Sequence, residues 1–214
     1  MIYDSGIWKS EIRNKINEFK DLIKKTSFSQ EWLFEDDENG LTESYKFFIE
    51  FQKFCFYSSV ISRKFIESNR LSDELLSKKY LIKSFKKKSK KILTKENVEF
   101  VDDEYNLEKV YKTELSIEKI CHIFIHSFIF NPKLNEYKID INLLDEDIEN
   151  YKIEGISGLY INTDFTKEKL IYYFDVEQIF RIFEEVVCDN IVYIYKNDMT
   201  GKVIRSNSNQ NKIF

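Results

Sequence analysis

The segment from residue 43 to residue 69 constrains the fold most strongly, because apolar side chains cover more than half of its helical circumference. A helix of this kind has to be enclosed by other elements, so we predict a central core helix over 43–69, with Thr42 as its N-cap. Lys46, Glu50 and Lys53 mark the single stripe that can face solvent. The chain has enough material for such a core, since 43% of its 214 residues are hydrophobic.

The sequence periodicity changes at Asn131-Pro132, and this change predicts the fold class. Before it, helical spacing predicts an amphipathic helix over 7–25 and a second helix over 117–129, which Asn131-Pro132 ends. After it, alternating apolar residues indicate strands with a turn at Gly155–Gly158, followed by one helix with Asp175 as its N-cap and a terminal hairpin. We therefore predict an α+β fold, with an N-terminal helical part followed by a small antiparallel sheet with one C-terminal helix.

The same pattern predicts two parts and a tail. Residues 1–131 form the helical part, and residues 132–205 form a small α+β part that docks on the same core. Residues 206–214 are polar and form the tail. The residues 80–95 fit either a strand or a helix, and the residues 96–115 indicate mostly loop.

Residue usage and cysteine content predict the origin and the compartment. The chain has no alanine and only one proline, a usage typical of AT-rich genomes, so we predict a bacterial protein. Cys55, Cys121 and Cys188 are isolated in sequence and odd in number, which favours buried, reduced thiols in a cytoplasm. The start of the chain lacks a signal-peptide pattern, and no apolar stretch approaches about 18 residues, so we expect neither export nor membrane contact.

Charge is concentrated in the segment 78–95, which contains nine lysines and no acidic residue, although the whole chain has a net charge of -4. A lysine cluster without arginine favours attraction to phosphates over the reading of base edges. We therefore predict a polyanionic partner, either RNA or DNA or an acidic protein, and the contrast with the acidic remainder also allows a homo-oligomer. The candidate binding residues are Lys83, Lys86, Lys87, Lys88, Lys90 and Lys91.

The two histidines of the chain, His122 and His126, lie one helical turn apart within an apolar segment, and Glu118 extends the same helical face. Imidazoles that titrate near neutral pH fit an acid–base site, and they also fit a structural role. A metal ion shared by both imidazoles and the carboxylate is a third possibility. Position 123 is isoleucine, so the HExxH pattern of zinc proteases is absent, and we predict no metal ion.

Nucleotide and serine-hydrolase signatures are absent, since the chain contains no P-loop, no GxGxxG and no GxSxG, and we expect no cofactor. Two functions follow from the remaining features. The first is a non-enzymatic binding or accessory protein that engages a polyanion through residues 78–95. The alternative is a small hydrolase, with a ribonuclease as the leading case, in which His126 and His122 act as acid and base. The sequence leaves open whether the protein is an enzyme.

Overall fold

The computed structural model describes residues 5–28, 32, 40–95, 100–138 and 151–207, with side chains described except at 136–138 and 151–154. In chain order its elements are α1 (Ser5–Lys25), α2 (Glu43–Glu67), α3 (Asp73–Ser77), β1 (Tyr80–Lys86), α4 (Val101–Glu104), β2 (Tyr111–Leu115), α5 (Ile117–Ile125), β3 (Ser127–Lys138), β4 (Tyr151–Thr163), β5 (Leu170–Asp175), α6 (Val176–Cys188), β6 (Tyr193–Lys196) and β7 (Val203–Ser206).

Five strands form one antiparallel sheet in the order β2-β1-β5-β4-β3, and β6 pairs with β7 in a separate hairpin. The helical N-terminal region, the antiparallel sheet and the helix that follows the strands confirm the predicted α+β class. The sheet takes strands from both sides of the predicted boundary at residues 131 and 132. The division into 1–131 and 132–205 therefore stays a prediction, and most of the predicted tail lies outside the described residues.

One face of the five-stranded sheet is covered by helices. The helices α5 and α6 contact the sheet, while α1 and α2 pack against them. The predicted helices are confirmed here: α1 buries Ile12, Ile16 and Phe19, and α2 begins after the N-cap Thr42, whose side chain accepts a hydrogen bond from the Tyr45 N–H at 3.0 Å. The helix predicted over 43–69 ends at Glu67, two residues earlier.

The predicted helix over 117–129 is too long, because α5 ends at Ile125 and His126 is its C-cap. The chain continues at once as β3, in which Phe130 lies opposite Ile161. Aromatic and β-branched residues favour this paired, extended backbone. The interpretation of Pro132 as a helix terminator is also wrong, since Pro132 lies within β3, an edge strand in which a missing N–H is tolerated.

Two further segments differ from the sequence-based expectation. The residues 96–115, expected as loop, contain α4 and the edge strand β2. The glycines expected to form a turn lie inside β4, where a Cβ at Gly158 would come within 2.5 Å of both the Phe174 carbonyl oxygen and the Tyr173 ring. Glycine is needed there because two strands and a tyrosine ring approach closely, and no turn is involved.

The second face of the sheet is covered by the described residues of the segments 87–95 and 100–107, which are irregular apart from the short helix α4. Leu93, Val101 and Tyr105 from these segments form a smaller core with strand residues such as Phe85 and Ile171. A network of polar contacts, described below, holds the same segments in place. The sheet is thus enclosed on one side by helices and on the other by a folded loop.

All three cysteines are free, and Cys55 and Cys121 are buried as expected, whereas Cys188 is exposed at the end of α6. Cys188 lies on the polar side of α6, whose opposite side is buried. The expectation of a buried thiol is therefore wrong for this residue, because its isolation in the sequence did not indicate which side of the helix it occupies. Within the described part of the chain, no helix combines the length and the apolar character needed to cross a membrane.

Candidate functional site

The lysine-rich segment begins as a strand and continues as an anchored, extended loop. Phe85 and Leu93 are both buried, so the chain between them is fixed at its two ends. The backbone N–H of Lys87 donates to the Lys169 carbonyl oxygen at 2.9 Å, and that of Lys88 donates to the Glu104 carbonyl oxygen at 2.9 Å. The loop therefore has a defined conformation in which successive side chains point to opposite sides.

This alternation separates the lysines into two sets. Lys86, Lys88 and Lys90 are exposed, and we call them the outward lysines. Lys87 and Lys91, with Ser89 between them, are directed toward acidic side chains of the fold. The run of lysines in the sequence thus combines residues that hold the loop with residues that face solvent.

Lys87 is the most enclosed of these cations, with only 7% of its side chain exposed, and its ammonium lies 2.9 Å from the Glu168 carboxylate. The other oxygen of Glu168 accepts the Leu93 N–H at 2.9 Å. These two contacts, the Lys87 ammonium first, lower the pKa of Glu168. Glu168 therefore joins both ends of the loop, and Lys87 has a structural role in the arrangement.

Two other predicted lysines also face carboxylates. The Lys83 ammonium lies 3.1 Å from Asp175 and 5.1 Å from the centroid of the Tyr173 ring. The Lys91 ammonium lies 4.0 Å from Glu104, which is itself only 5% exposed. Asp175 precedes α6 without a side-chain capping bond, so the capping expected from the sequence is replaced by this ion pair.

The outward lysines have a different environment. The Lys86 ammonium lies 4.6 Å from the centroid of the Tyr111 ring, and Lys109 approaches the same ring at 5.6 Å. For Lys88 and Lys90, the described residues provide no carboxylate within ion-pair distance. On the exposed side of the loop, Lys88 and Lys90 therefore form no ion pair with the described acidic residues.

Three basic residues near this surface escaped the sequence prediction. Lys112 lies opposite Lys83 in the β1–β2 register, Lys109 precedes β2, and the Lys133 ammonium lies 5.8 Å from the Tyr160 ring. The alternation of polar and apolar residues in β2 could have been used to predict Lys112 as a further candidate residue. No local signal marks Lys133, because only the sheet order brings β3 toward this face.

The two histidines lie together at the C-terminal end of α5, with ring centroids 4.7 Å apart. His122 is half-buried and His126 is exposed. Burial lowers the pKa of His122, and the neighbouring His126, Lys119 and Arg63 lower it further, while Glu118 acts in the opposite direction. Because its pKa is lowered, the His122 imidazole is uncharged near neutral pH, so it is available as a weak general base.

Glu118 is exposed, and among the described residues neither imidazole forms a hydrogen bond with it. Its effect on His122 is electrostatic only. In the described ranges, no group of three or more histidine, cysteine or acidic side chains is arranged to hold a metal ion. The predicted residues Glu118, His122 and His126 thus lie on one helical face. Of the three, only the two histidine side chains contact each other.

The chain's own residues have to carry the functional inference, since no protein-family model, no curated protein and no solved structure matches this chain. The residues offer two arrangements with distinct chemistry. The anchored loop presents ammonium groups that can bind anions, and the imidazole pair can transfer protons.

Proposed function

We propose that the protein is a non-enzymatic cytoplasmic binding protein that engages a polyanionic partner, a nucleic acid or an acidic protein, through the segment 78–95. The observation that carries this proposal is the exposure of the outward lysines on a loop fixed at both ends. They form no ion pair with the described acidic residues, and their backbone is anchored by hydrogen bonds to the fold. Binding through them therefore costs little conformational entropy beyond that of the side chains.

The spacing of the outward lysines supports several contacts with one polymer. The three outward lysines are exposed within five consecutive residues of one anchored loop, so their ammonium groups form a short row along it. A row of this kind displaces several counterions from a polyanion at once, which gives affinity without sequence preference and a strong dependence on salt. Lys109, next to Lys86 on the Tyr111 ring, adds a further cation to the row.

The test is the fluorescence anisotropy of labelled single-stranded RNA titrated with the protein at salt concentrations from about 50 to about 300 mM. The test variant combines Lys86→Gln, Lys88→Gln and Lys90→Gln. The matched control combines Lys24→Gln, Lys53→Gln and Lys64→Gln, which remove the same number of charges from exposed positions on α1 and α2.

We expect the wild type and the control to bind with a similar salt dependence. The test variant should bind more weakly, and the slope of log affinity against log salt should decrease by about 2, since each lost contact with a single strand contributes about 0.7. Equal weakening by both variants would show that net charge, and not this surface, governs binding. If the wild type binds no RNA at low salt, polyglutamate is the second probe, and failure of both probes contradicts the proposal.

The alternative of a ribonuclease is favoured by one observation, the contact between the two imidazoles beside Arg63 and Lys119. His122, held neutral by its lowered pKa, would act as the base, His126 would act as the acid, and the cations would hold the phosphate. Incubation of labelled RNA with the protein tests this alternative. His126→Gln should abolish cleavage and leave RNA binding intact, and uncleaved RNA in the wild-type reaction would exclude the alternative for that substrate.

A further inference from the structure

The ring of Tyr111 lies at one edge of the five-stranded sheet, next to the first of the outward lysines. Tyr111 begins β2, which pairs only with β1 among the described strands. The Lys86 ammonium lies 4.6 Å from the centroid of the Tyr111 ring, and the Lys109 ammonium lies 5.6 Å from the same point. Because the Tyr111 side chain is only half-buried, a partly accessible aromatic ring lies beside two cations.

The register of β1 and β2 places this ring beside Lys86. Tyr111 is paired with Ser84, and side chains two residues apart in a strand point to the same face of a sheet. Lys86 is therefore a diagonal neighbour of Tyr111, at a distance that long side chains span. Neither Lys86 nor Lys109 forms an ion pair with the described acidic residues, so the ring is the described group that both ammonium groups contact.

A nucleobase can replace one of these cations on the ring. A base stacked on an aromatic ring contributes more to binding than an exposed ammonium over the same ring. Lys109 is the more easily displaced cation, since its ammonium is farther from the ring centroid than that of Lys86. After the exchange, the Lys109 ammonium is free to contact a phosphate of the same polymer. The exchange therefore adds a stacking contact without the loss of a positive charge.

We propose that the polyanionic partner is a single-stranded nucleic acid, one base of which stacks on Tyr111 while neighbouring phosphates bind the outward lysines. The inference rests on the proposed function and names the partner that this function leaves open. Each nucleotide combines a charged phosphate with a flat base, and this surface combines ammonium groups with an aromatic ring. An acidic peptide offers carboxylates to the lysines, but it does not offer a flat base to the ring at each residue.

The ring and the lysines favour different forms of nucleic acid. In a duplex the faces of the bases are covered by neighbouring base pairs, so no base is available to Tyr111, whereas the bases of a single strand can turn outward and stack. The charge density of a duplex is higher, so the lysines acting alone would bind it more tightly than a single strand. A preference for the single strand therefore reports the ring and not the charges.

The test compares three labelled DNA probes by fluorescence anisotropy at one salt concentration. The probes are a thymidine strand, an abasic strand of the same length, and the thymidine strand paired with its complement. The first two carry the same charge and differ only in the bases, so the ratio of their affinities measures stacking and is independent of the number of phosphates.

Four variants isolate the ring. Tyr111→Leu removes the ring and keeps every charge, and Tyr111→Thr does the same with a β-branched side chain that suits a strand. Tyr111→Phe keeps the ring and removes only the hydroxyl. Tyr45→Leu is the matched control, since Tyr45 is 53% exposed on α2, outside the sheet.

We expect the wild type to bind the thymidine strand at least about fivefold more tightly than the abasic strand, because one stacked base supplies a factor of this size. Tyr111→Leu and Tyr111→Thr should bind both strands with the affinity that the wild type has for the abasic strand, which also shows that these variants keep their fold. Tyr111→Phe and Tyr45→Leu should retain the preference. The variant that combines Lys86→Gln, Lys88→Gln and Lys90→Gln should bind both strands more weakly.

Several results would overturn the inference and leave the proposed function intact. They are equal affinity of the wild type for the thymidine and abasic strands, a preference that persists without the Tyr111 ring, and tighter binding of the duplex than of the single strand. Binding of polyglutamate without binding of either strand has the same meaning, because the partner would then be an acidic protein. A wild type that binds neither the strands nor polyglutamate contradicts the proposed function, and the inference fails with it.

Discussion

The two faces of the five-stranded sheet are enclosed by different means. On the helical face, rings from separate elements pack directly, as Phe124 does against Phe174 at 5.2 Å. On the opposite face, a loop is held by a few polar groups, among them the Tyr105 hydroxyl and the Glu168 carboxylate. Apolar packing tolerates many arrangements, whereas the polar contacts define one path for the loop. The outward lysines lie on the face that this loop covers.

The largest effect should follow a truncation on the helical face. Phe174 of β5 is fully buried against the helices, so Phe174→Ala should lower the free energy of unfolding by about 3–5 kcal/mol, through lost burial and the cavity left behind. Urea denaturation followed by circular dichroism measures this loss. A loss below about 1 kcal/mol would mean that the helical face is not the main source of stability.

On the opposite face, the hydroxyl of Tyr105 is the group whose removal tests the polar attachment. It donates to the Lys167 carbonyl oxygen at 2.6 Å and accepts from the Asn162 amide at 2.7 Å. Tyr105→Phe leaves both partners unpaired in a buried site, and we expect a loss of about 1–3 kcal/mol in the free energy of unfolding. Tyr172→Phe is the matched control, because the described residues offer the buried Tyr172 hydroxyl no hydrogen bond; an equal loss in both variants would contradict this account.

The pH dependence of stability should report the Glu168 contact. Because the folded-state pKa of Glu168 is lowered, its stabilisation is present above the ordinary value of 4.5 and is lost as the pH falls through the folded pKa. Glu168→Gln should therefore be less stable than the wild type at about pH 7, by under about 1 kcal/mol for so exposed a carboxylate, and the difference should diminish as the pH is lowered from 4.5 toward about 3. Urea denaturation at both pH values measures the difference, and a difference that grows toward low pH would reverse the assigned sign.

The smallest effect on stability should come from the outward lysines. Lys88 forms no ion pair with the described acidic side chains, so Lys88→Gln should change the free energy of unfolding by less than about 0.5 kcal/mol. Lys87 is enclosed and paired with Glu168. Lys87→Gln should therefore lower the free energy of unfolding by about 1 kcal/mol or more. Equal effects from the two variants in thermal denaturation would show that the inward and outward lysines are not distinguished by the fold.

The sequence predicted the helical face well and the opposite face poorly, for a physical reason. The period of apolar residues in α2 follows directly from its burial on most sides, and Thr42 marks its start by a local hydrogen bond. The position of Lys87 depends on Glu168, which lies 81 residues away in the chain, and no local pattern records such a pair. The early end of α5 likewise follows from the pairing of β3 with β4, which replaces the last predicted helical turn.

The same limit applies to the candidate site. The spacing of His122 and His126 predicted one shared face, and the ring contact agrees with it. The influence of Arg63 on His122 comes from α2 packing against α5, which the sequence did not reveal. Likewise, the lysine count indicated a basic segment, but only the extended path of the loop divides it into two sets.

The sheet order has a consequence for the nascent chain. Strand β1 lies between β2 and β5, and its contact between Lys83 and Asp175 joins positions 92 residues apart. During synthesis, one edge of β1 must therefore wait for β5 to leave the ribosome, and such late pairing is slow. Lysines along a waiting edge discourage pairing with other chains. Lys83 and Lys86 should thus protect the unfinished sheet from aggregation before the fold is complete.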